Sequence, residues 1–270
     1  MPELPEVEFA RTQLSRWLTK AKITRVTVLD ARILDAKVSI ESVSSALRGR
    51  VVKSVERRGK WLRIVLDDGL IFSHLGMTGK WVVPTRADEE TRFEKVRLDV
   101  VQGKKHRSVR YVDPRLFGRF VVTPTDLAAW SALGPDPLHD GIDVDALHEK
   151  FLKRRIAIKP TLLDQTVLAG IGNIQATEAL FFAKIDPRRP ANSLSRKETV
   201  ALAKGMERSI AETFAFQKGP KLTYVEEAGA DNPFTIYGHG GETCPRCKKA
   251  KLAKIMLAAR GTVFCPHCQK

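Results

Sequence analysis

Met1-Pro2-Glu3-Leu4-Pro5-Glu6-Val7-Glu8 opens the chain with prolines and glutamates interleaved. Proline is favoured in the first turn of a helix, where its missing N–H is no loss. Acidic side chains suit the positive end of the helix dipole. Leu4, Val7, Ala10, Leu14 and Trp17 follow at helical spacing, which predicts a helix with one buried stripe. If Met1 is removed, the stretch begins with the secondary amine of Pro2. Such an amine forms an iminium ion with an aldehyde-like carbon, as a Schiff-base lysine does. An α-amino group has a pKa of about 8; the positive helix end favours its neutral form. Glu3 stands beside it as a general acid or base. On the residues alone, an ordinary acidic helix start is the plainer reading.

Outward from this stretch, the 270 residues are 43% hydrophobic, enough for two modest domains or one large one. Lys and Arg number 46 against 31 Asp and Glu, a formal charge of +15. That excess points to a polyanionic partner, nucleic acid before an anionic membrane surface. No apolar run of spanning length, lipidation motif or secretory signal is present, so a cytoplasmic protein without a membrane partner is expected. The four cysteines are Cys244, Cys247, Cys265 and Cys268. Two Cys-x-x-Cys pairs at this separation have the spacing of a closed, structural zinc site; two disulfides are the alternative.

Between Ile23 and Thr123 the pattern is that of strands. Ile23–Val28, Arg63–Leu66, Val96–Val100 and Arg119–Val122 alternate with period two, with turn signals at Asp67-Asp68-Gly69 and Gln102-Gly103. An antiparallel sandwich or barrel is expected, with a short helix at Ser42–Leu47. Leu133-Gly134-Pro135-Asp136-Pro137-Leu138 marks a boundary. Helical periodicity then covers Val144–Leu152, Leu162–Leu168, Ile174–Phe182 and Arg196–Phe214, before short strands return around the cysteines.

Four constellations carry chemistry. Arg57-Arg58-Gly59-Lys60-Trp61 is a basic turn entering a strand. His74-Leu75-Gly76-Met77-Thr78-Gly79 and Asp113-Pro114-Arg115-Leu116-Phe117-Gly118 are Gly-rich loops; Met77 and Phe117 are either core residues or wedges for the space left by a flipped base. Lys159–Gln165 followed by Leu168–Ile174 predicts two helices joined by a Gly turn, with Asn173 as cap at the N-terminus of the second and the free N–H groups there open to phosphate. The cysteine region is a basic hairpin suited to phosphate.

Taken in order, the opening stretch and these motifs resemble the bacterial formamidopyrimidine-DNA glycosylase/endonuclease VIII family over nearly the full chain. The opening is similar to the formamidopyrimidine glycosylase branch; the endonuclease VIII branch typically has Gly in place of Leu4. The resemblance implies a multidomain α+β protein. Residues 1–130 would form an N-terminal helix and antiparallel β-sandwich, residues 138–225 a helical helix-two-turn-helix domain, and residues 236–270 a β-hairpin zinc finger with one structural Zn2+. It implies a base-excision-repair DNA glycosylase and abasic-site lyase that works as a monomer on double-stranded DNA in the bacterial cytoplasm, associated with the nucleoid. Pro2 would form the Schiff base, Glu3 would move protons and Lys60 would assist, followed by β,δ-elimination. Met77, Arg115 and Phe117 would form the wedge, Lys159 and Asn173 would hold the DNA backbone, and Arg260 would clamp the phosphates around the flipped nucleotide. The substrates implied are 8-oxoguanine and formamidopyrimidines. An endonuclease VIII-like enzyme for oxidised pyrimidines and a non-catalytic zinc-containing DNA-binding paralogue are the alternatives. Four features depart from the family: Leu116 in place of an arginine, Gln175 in place of a tyrosine, His239 where an arginine commonly follows Tyr-Gly, and a short loop from Val225 to Phe234. Glu178 matches an acidic family position of unassigned role.

Overall fold

The structure is a computed structural model that describes the chain except for residues 1, 37, 87–89, 218, 220, 221, 226, 228 and 230. Met1 and part of the Val225–Phe234 loop therefore lie outside the described residues. Two compact units are present: Met1–Pro2 with Glu6–Ser131, and Glu3–Pro5 with Ala132–Lys270.

Helix α1 spans Leu4–Leu18. Leu4, Val7, Ala10 and Leu14 are buried as expected, but the stripe ends on Leu18 and leaves Trp17 half-buried. The step from Leu14 to Leu18 keeps one face, whereas Leu14 to Trp17 drifts off it.

The first unit continues with β1 (Lys22–Val28), α2 (Ile40–Leu47), β2 (Val52–Arg58), β3 (Trp61–Leu66), β4 (Leu70–His74), β5 (Lys80–Val82), β6 (Glu94–Gln102), β7 (Lys105–Val112), β8 (Arg119–Thr123) and α3 (Ala128–Ser131). Two antiparallel four-stranded sheets result, in the orders β1-β6-β7-β5 and β2-β3-β4-β8. They meet where Trp81 of β5 packs 6.2 Å from Phe120 of β8 and donates Nε1–H to Ser73 Oγ of β4 at 3.0 Å. This is the expected sandwich. The alternation in β1 changes phase at a register shift between Ile23 and Arg25, so Thr24 and Arg25 are both exposed; a bulge does this by adding a residue to one strand. β4 lacks alternation because Ile71, Phe72 and Ser73 are all buried. β7 was masked in sequence by its basic residues; its Arg110 is internal, with NH1 3.6 Å from Glu94 of β6.

The second unit contains α4 (Val144–Leu152), α5 (Ile158–Leu163), α6 (Asn173–Ala183), α7 (Arg196–Phe216) and the hairpin β9 (Ala253–Leu257) and β10 (Arg260–Phe264). Its core joins Leu4 to Phe151, Ile158, Leu162, Ile171, Leu180, Leu202 and Met206. The helix expected at Leu162–Leu168 stops at Asp164, whose carboxylate accepts from Thr166 N–H at 2.9 Å and Thr166 Oγ1 at 2.7 Å. Such Asx turns compete with helix propagation. Helix α7 begins with the capping box of Ser195 and Glu198.

The family tyrosine replaced by Gln175 is compensated within the fold. Gln175 is fully buried; Nε2 donates to Thr213 Oγ1 at 2.8 Å, and Oε1 accepts from Ser209 Oγ at 2.7 Å. The amide thus spends its polar groups on two hydroxyls of α7, as a buried polar side chain must.

The β9–β10 turn carries strain. Leu257 pairs with Arg260, leaving Ala258 and Ala259 as a two-residue loop with φ 48° and 57°. Left-handed backbone at an L-residue with a Cβ costs roughly 1–2 kcal/mol, and such turns favour Asn-Gly. Ala259→Gly is therefore expected to stabilise the zinc-loaded protein by about 0.5–1 kcal/mol, the relieved strain exceeding the added unfolded-state entropy. Urea unfolding checks this; an unchanged or lowered midpoint would show that the turn is relaxed.

Candidate active site

In the second unit, everything converges on the N-terminus of α6. Asn173 was expected to cap it, but Gly172 occupies the cap position and makes no side-chain cap bond. The carboxylate of Glu3 supplies the cap from far away in sequence. Its Oε2 accepts from the N–H groups of Gly172 and Gln175, each at 3.0 Å, and its Oε1 from Ile174 N–H at 2.8 Å. Glu3 is 1% exposed. The open amides and dipole of a helix start make a fitting anion site. A Cβ at position 172 would collide with Glu3 Cδ, so only glycine lets the carboxylate come this close. Leu4 N–H donates to Gly170 O at 3.1 Å and fixes the next residue as well.

The hairpin bearing Arg260 is pinned to the same region. Lys159 Nζ donates to Thr262 Oγ1 at 2.8 Å and Gly261 O at 3.2 Å, and Asn173 Nδ2 donates to Gly261 O at 3.0 Å. Lys159 is 0% exposed. The ammonium expected to hold the DNA backbone lies inside the protein, where it holds the peptide after Arg260. Burial pushes Lys159 down to about 8, against the nearby Glu3 charge, which raises it. Arg260 itself is exposed. Asn173 Oδ1 is buried without a partner.

Glu178 has a definite task. Its buried carboxylate accepts from Thr235 N–H at 2.8 Å, Ile236 N–H at 2.9 Å and Tyr237 N–H at 2.8 Å, tying α6 to the segment that enters the cysteine region. His239 lies just beyond, with Nδ1 3.0 Å from Glu242 Oε1.

The Sγ atoms of Cys244, Cys247, Cys265 and Cys268 all lie within 4.8 Å of one another, with 3.8 Å between Cys244 and Cys268 and between Cys247 and Cys265. Four thiolates at about 2.3 Å around a tetrahedral Zn2+ have close to this separation. The donors fit one structural zinc ion, and their number closes its coordination. Phe181, Ile236, Leu252 and Val263 pack around the cysteines, and Arg246 covers the Phe181 ring at 4.0 Å.

In the first unit, Gly59 and Lys60 form a two-residue turn between Arg58 and Trp61, with Gly59 at φ 56°. Arg57, expected on a basic surface, is internal. Its Nε donates to Glu8 Oε2 at 2.9 Å and its NH1 to Gly59 O at 3.2 Å, bracing the turn that presents half-buried Lys60. His74, opposite Trp61 on β4, was not assigned a role from sequence. Its Nδ1 accepts from Gly76 N–H at 3.0 Å, which puts the ring proton on Nε2. Burial, then the charges of Lys60 and Arg119, push it down to about 4, so the ring is neutral near pH 7. Its only sequence signal was its place before the Gly-rich loop. Pro2 is buried, Met77 half-buried, and Arg115 and Phe117 exposed, with the Arg115 guanidinium 5.0 Å from the Phe117 ring centroid. The 54% exposure of Phe117 excludes the core reading for that side chain.

Between pH about 8 and 10.5 the unfolded chain holds the Lys159 proton that the folded chain has lost. Folding stability attributable to Lys159 must therefore rise with pH across that window. Comparing wild type with Lys159→Met by denaturant unfolding should reveal this rise as a difference between the two pH profiles; parallel profiles would refute it. Removing zinc with a strong chelator should release one metal per chain and lower the unfolding temperature, because metal binding and folding of such a site are coupled. Retention of the full unfolding temperature by the metal-free protein would contradict the structural role.

Comparisons with known proteins match the whole of this architecture. The family model described as the formamidopyrimidine-DNA glycosylase N-terminal domain matches residues 1–120, the H2TH domain of the same enzyme residues 133–223, and the zinc finger found in FPG and IleRS residues 241–270. The chain is 37% identical over 278 residues to formamidopyrimidine-DNA glycosylase of Desulfitobacterium hafniense (strain DSM 10664 / DCB-2), covering 100% of both. It is 36% identical over 279 residues to the enzyme of Pseudomonas paraeruginosa (strain DSM 24068 / PA7), again covering 100% of both. Among solved structures it is similar to the Lactococcus lactis formamidopyrimidine-DNA glycosylase bound non-covalently to DNA containing an AP site, at TM-score 0.85 and 30% identity over 99% of each chain. The L. lactis enzyme with FAPY-dG-containing DNA matches at TM-score 0.86 and 30% identity, covering 99% of this chain and 100% of that one. By its arrangement of domains and its identity to these relatives, the chain belongs to the formamidopyrimidine-DNA glycosylase family.

Proposed function

We propose that this DNA repair glycosylase removes oxidised purines, 8-oxoguanine and formamidopyrimidines, from double-stranded DNA and then cuts the strand as an abasic-site lyase. The observation that carries the reading is the Glu3 carboxylate, held by three backbone N–H groups of α6 immediately after Pro2. Once Met1 is removed, the neutral secondary amine of Pro2 attacks C1′ of the damaged nucleoside. The C1′–N bond breaks with its electron pair leaving on the base, which takes a proton from solvent, while Glu3 accepts the proton released by the Pro2 nitrogen and passes it to the sugar ring oxygen as the C1′–O bond opens. The resulting iminium ion acidifies C2′; loss of that proton expels the 3′-phosphate, and a second elimination expels the 5′-phosphate. A positioned general acid contributes about 10²–10⁴-fold, and a carboxylate fixed through both oxygens retains its position throughout the sequence.

The remaining residues bind and open the duplex. Lys60 and the Nε2–H of His74 offer a cation and a neutral donor side by side, suited to one phosphate. Arg260, at the exposed end of the pinned hairpin, offers a bidentate phosphate clamp. Asn173 gains a backbone-facing role at the helix start, while Lys159 acts by holding Gly261. Met77, Arg115 and Phe117 fill the gap left by the everted nucleotide, replacing lost stacking. Zinc takes no part in the chemistry. The excess of positive charge supplies non-specific attraction to DNA, consistent with work on the bacterial nucleoid in the cytoplasm. No helix among the described residues is long and apolar enough to cross a membrane.

Borohydride trapping on a duplex carrying 8-oxoguanine opposite cytosine tests the reading. A covalent adduct at Pro2 is expected with protein whose intact mass shows loss of Met1. Glu3→Gln should cut excision by about 10²–10⁴-fold while sparing DNA binding. Strong trapping on oxidised pyrimidines with none on 8-oxoguanine would move the substrate class. Wild-type excision by Glu3→Gln would remove that residue from the mechanism.

A further inference from the structure

The loops that carry Met77, Arg115 and Phe117 are crossovers between the same two sheets. The first leaves β4 and enters β5; the second leaves β7 and enters β8. β4 pairs with β8 through His74 and Arg119, and β5 pairs with β7 through Lys80 and Val112. The loops are therefore neighbours at both ends. Between their ends they touch through backbone. A Cβ on Gly76 would meet the Phe117–Gly118 backbone at 2.5 Å (Gly118 N), and the Tyr111 hydroxyl sits against both Gly79 and Gly118 while donating to His74 O at 3.2 Å.

A side-chain contact also crosses between the loops. Asp113 is 0% exposed, and its carboxylate takes three donors. Oδ1 accepts from Thr78 Oγ1 at 2.8 Å and Arg115 N–H at 3.2 Å; Oδ2 accepts from Gly118 N–H at 2.8 Å. The donors bracket the wedge: Thr78 follows Met77, and Arg115 and Gly118 flank Leu116 and Phe117. Leu116 is held at φ 55°, a backbone state that a branched side chain does not choose unaided. The carboxylate thus shapes one loop through its amides and grips the other through a hydroxyl. Hydrogen bonds to a buried charged acceptor are among the stronger kinds.

We propose that Asp113 and Thr78 are positioning residues that join the two wedge loops into one rigid body, so that insertion of Met77 and stacking by Phe117 and Arg115 occur as a single event. The proposal rests on the wedge reading given above. Neither residue touches the reacting atoms; the link acts on base eversion, ahead of the chemistry at Pro2.

The experiment is a double-mutant cycle read by single-turnover excision of 8-oxoguanine from duplex DNA, using the full-length zinc-loaded enzyme. Thr78→Val keeps the shape and removes the hydroxyl; Thr78→Ser keeps the hydroxyl. Thr78→Val is expected to slow excision by about tenfold, matching the loss of one charge-assisted hydrogen bond. Thr78→Ser should restore most of the rate. In a Met77→Ala background, with the wedge already blunted, Thr78→Val should cost little more, because coupled residues give non-additive effects. Slow Met77→Ala with a wild-type rate for Thr78→Val, or fully multiplicative losses, would overturn the link alone. Wild-type rates for both Met77→Ala and Phe117→Ala would instead overturn the wedge reading. Asp113→Asn tests the acceptor, and the Thr78 series stands even if that variant fails to fold.

Discussion

Three backbone N–H groups at the start of α6, closing on the two oxygens of Glu3, are the constraint to which the second unit is fitted. A helix start leaves amides unsatisfied, and they need an acceptor. Here the acceptor is not a neighbour in sequence but a residue from the opposite end of the chain. Meeting that need orders Glu3, and the ordering requires glycine at 172 and the Leu4–Gly170 bond beside it. The same helix serves three other attachments. Asn173 holds the Arg260 hairpin, Gln175 is locked to α7, and Glu178 holds the bend at the entry to the cysteine region. One helix thus organises the Glu3 carboxylate, the Arg260 hairpin and the entry to the four-cysteine site through separate polar contacts.

Much of this was legible in sequence. The two Cys-x-x-Cys pairs specify a zinc site because ligand spacing has few other uses. The strands with period two, the short helix α2 and the capping box of α7 follow local rules that tertiary packing did not override. The exposed Arg115 and Phe117 were legible because turn residues flank them. Less visible were features that depend on residues distant in sequence. Nothing local tells that Glu3, rather than Asn173, satisfies α6. Arg57 reads as part of a basic surface until its partner Glu8 is known. Lys159 reads as a surface cation until Thr262 is placed beside it. Strand β4 escapes period-two analysis because burial on both faces removes the alternation.

A common thread runs through the residues whose sequence reading changed. Lys159, Arg57 and Asp113 are charged, yet the fold uses them internally, each with hydrogen-bond partners that offset the loss of water. Each supports a short backbone stretch that presents another side chain outward: Arg260, Lys60, and the pair Met77 and Phe117. The strongly basic composition therefore overstates the positive surface. Part of the charge is structural, and the exposed part is spread over helix faces such as Arg196, Lys197, Lys204 and Arg208 of α7 as well as over loops and the β9–β10 hairpin.

The amide of Gln175 has a consequence for how this sequence is free to change. Ser209 and Thr213 direct their hydroxyls to it, so the three positions form one unit of variation across two helices. A tyrosine introduced at 175 alone would take away the amide acceptor of the Ser209 hydroxyl, while Thr213 Oγ1 keeps its bond to Ser209 O at 2.9 Å, and would force a larger ring against both. An aromatic residue at this position calls for smaller or apolar residues arriving on α7 together with it. Drift at this site is thus gated by coupled substitutions on the two helices.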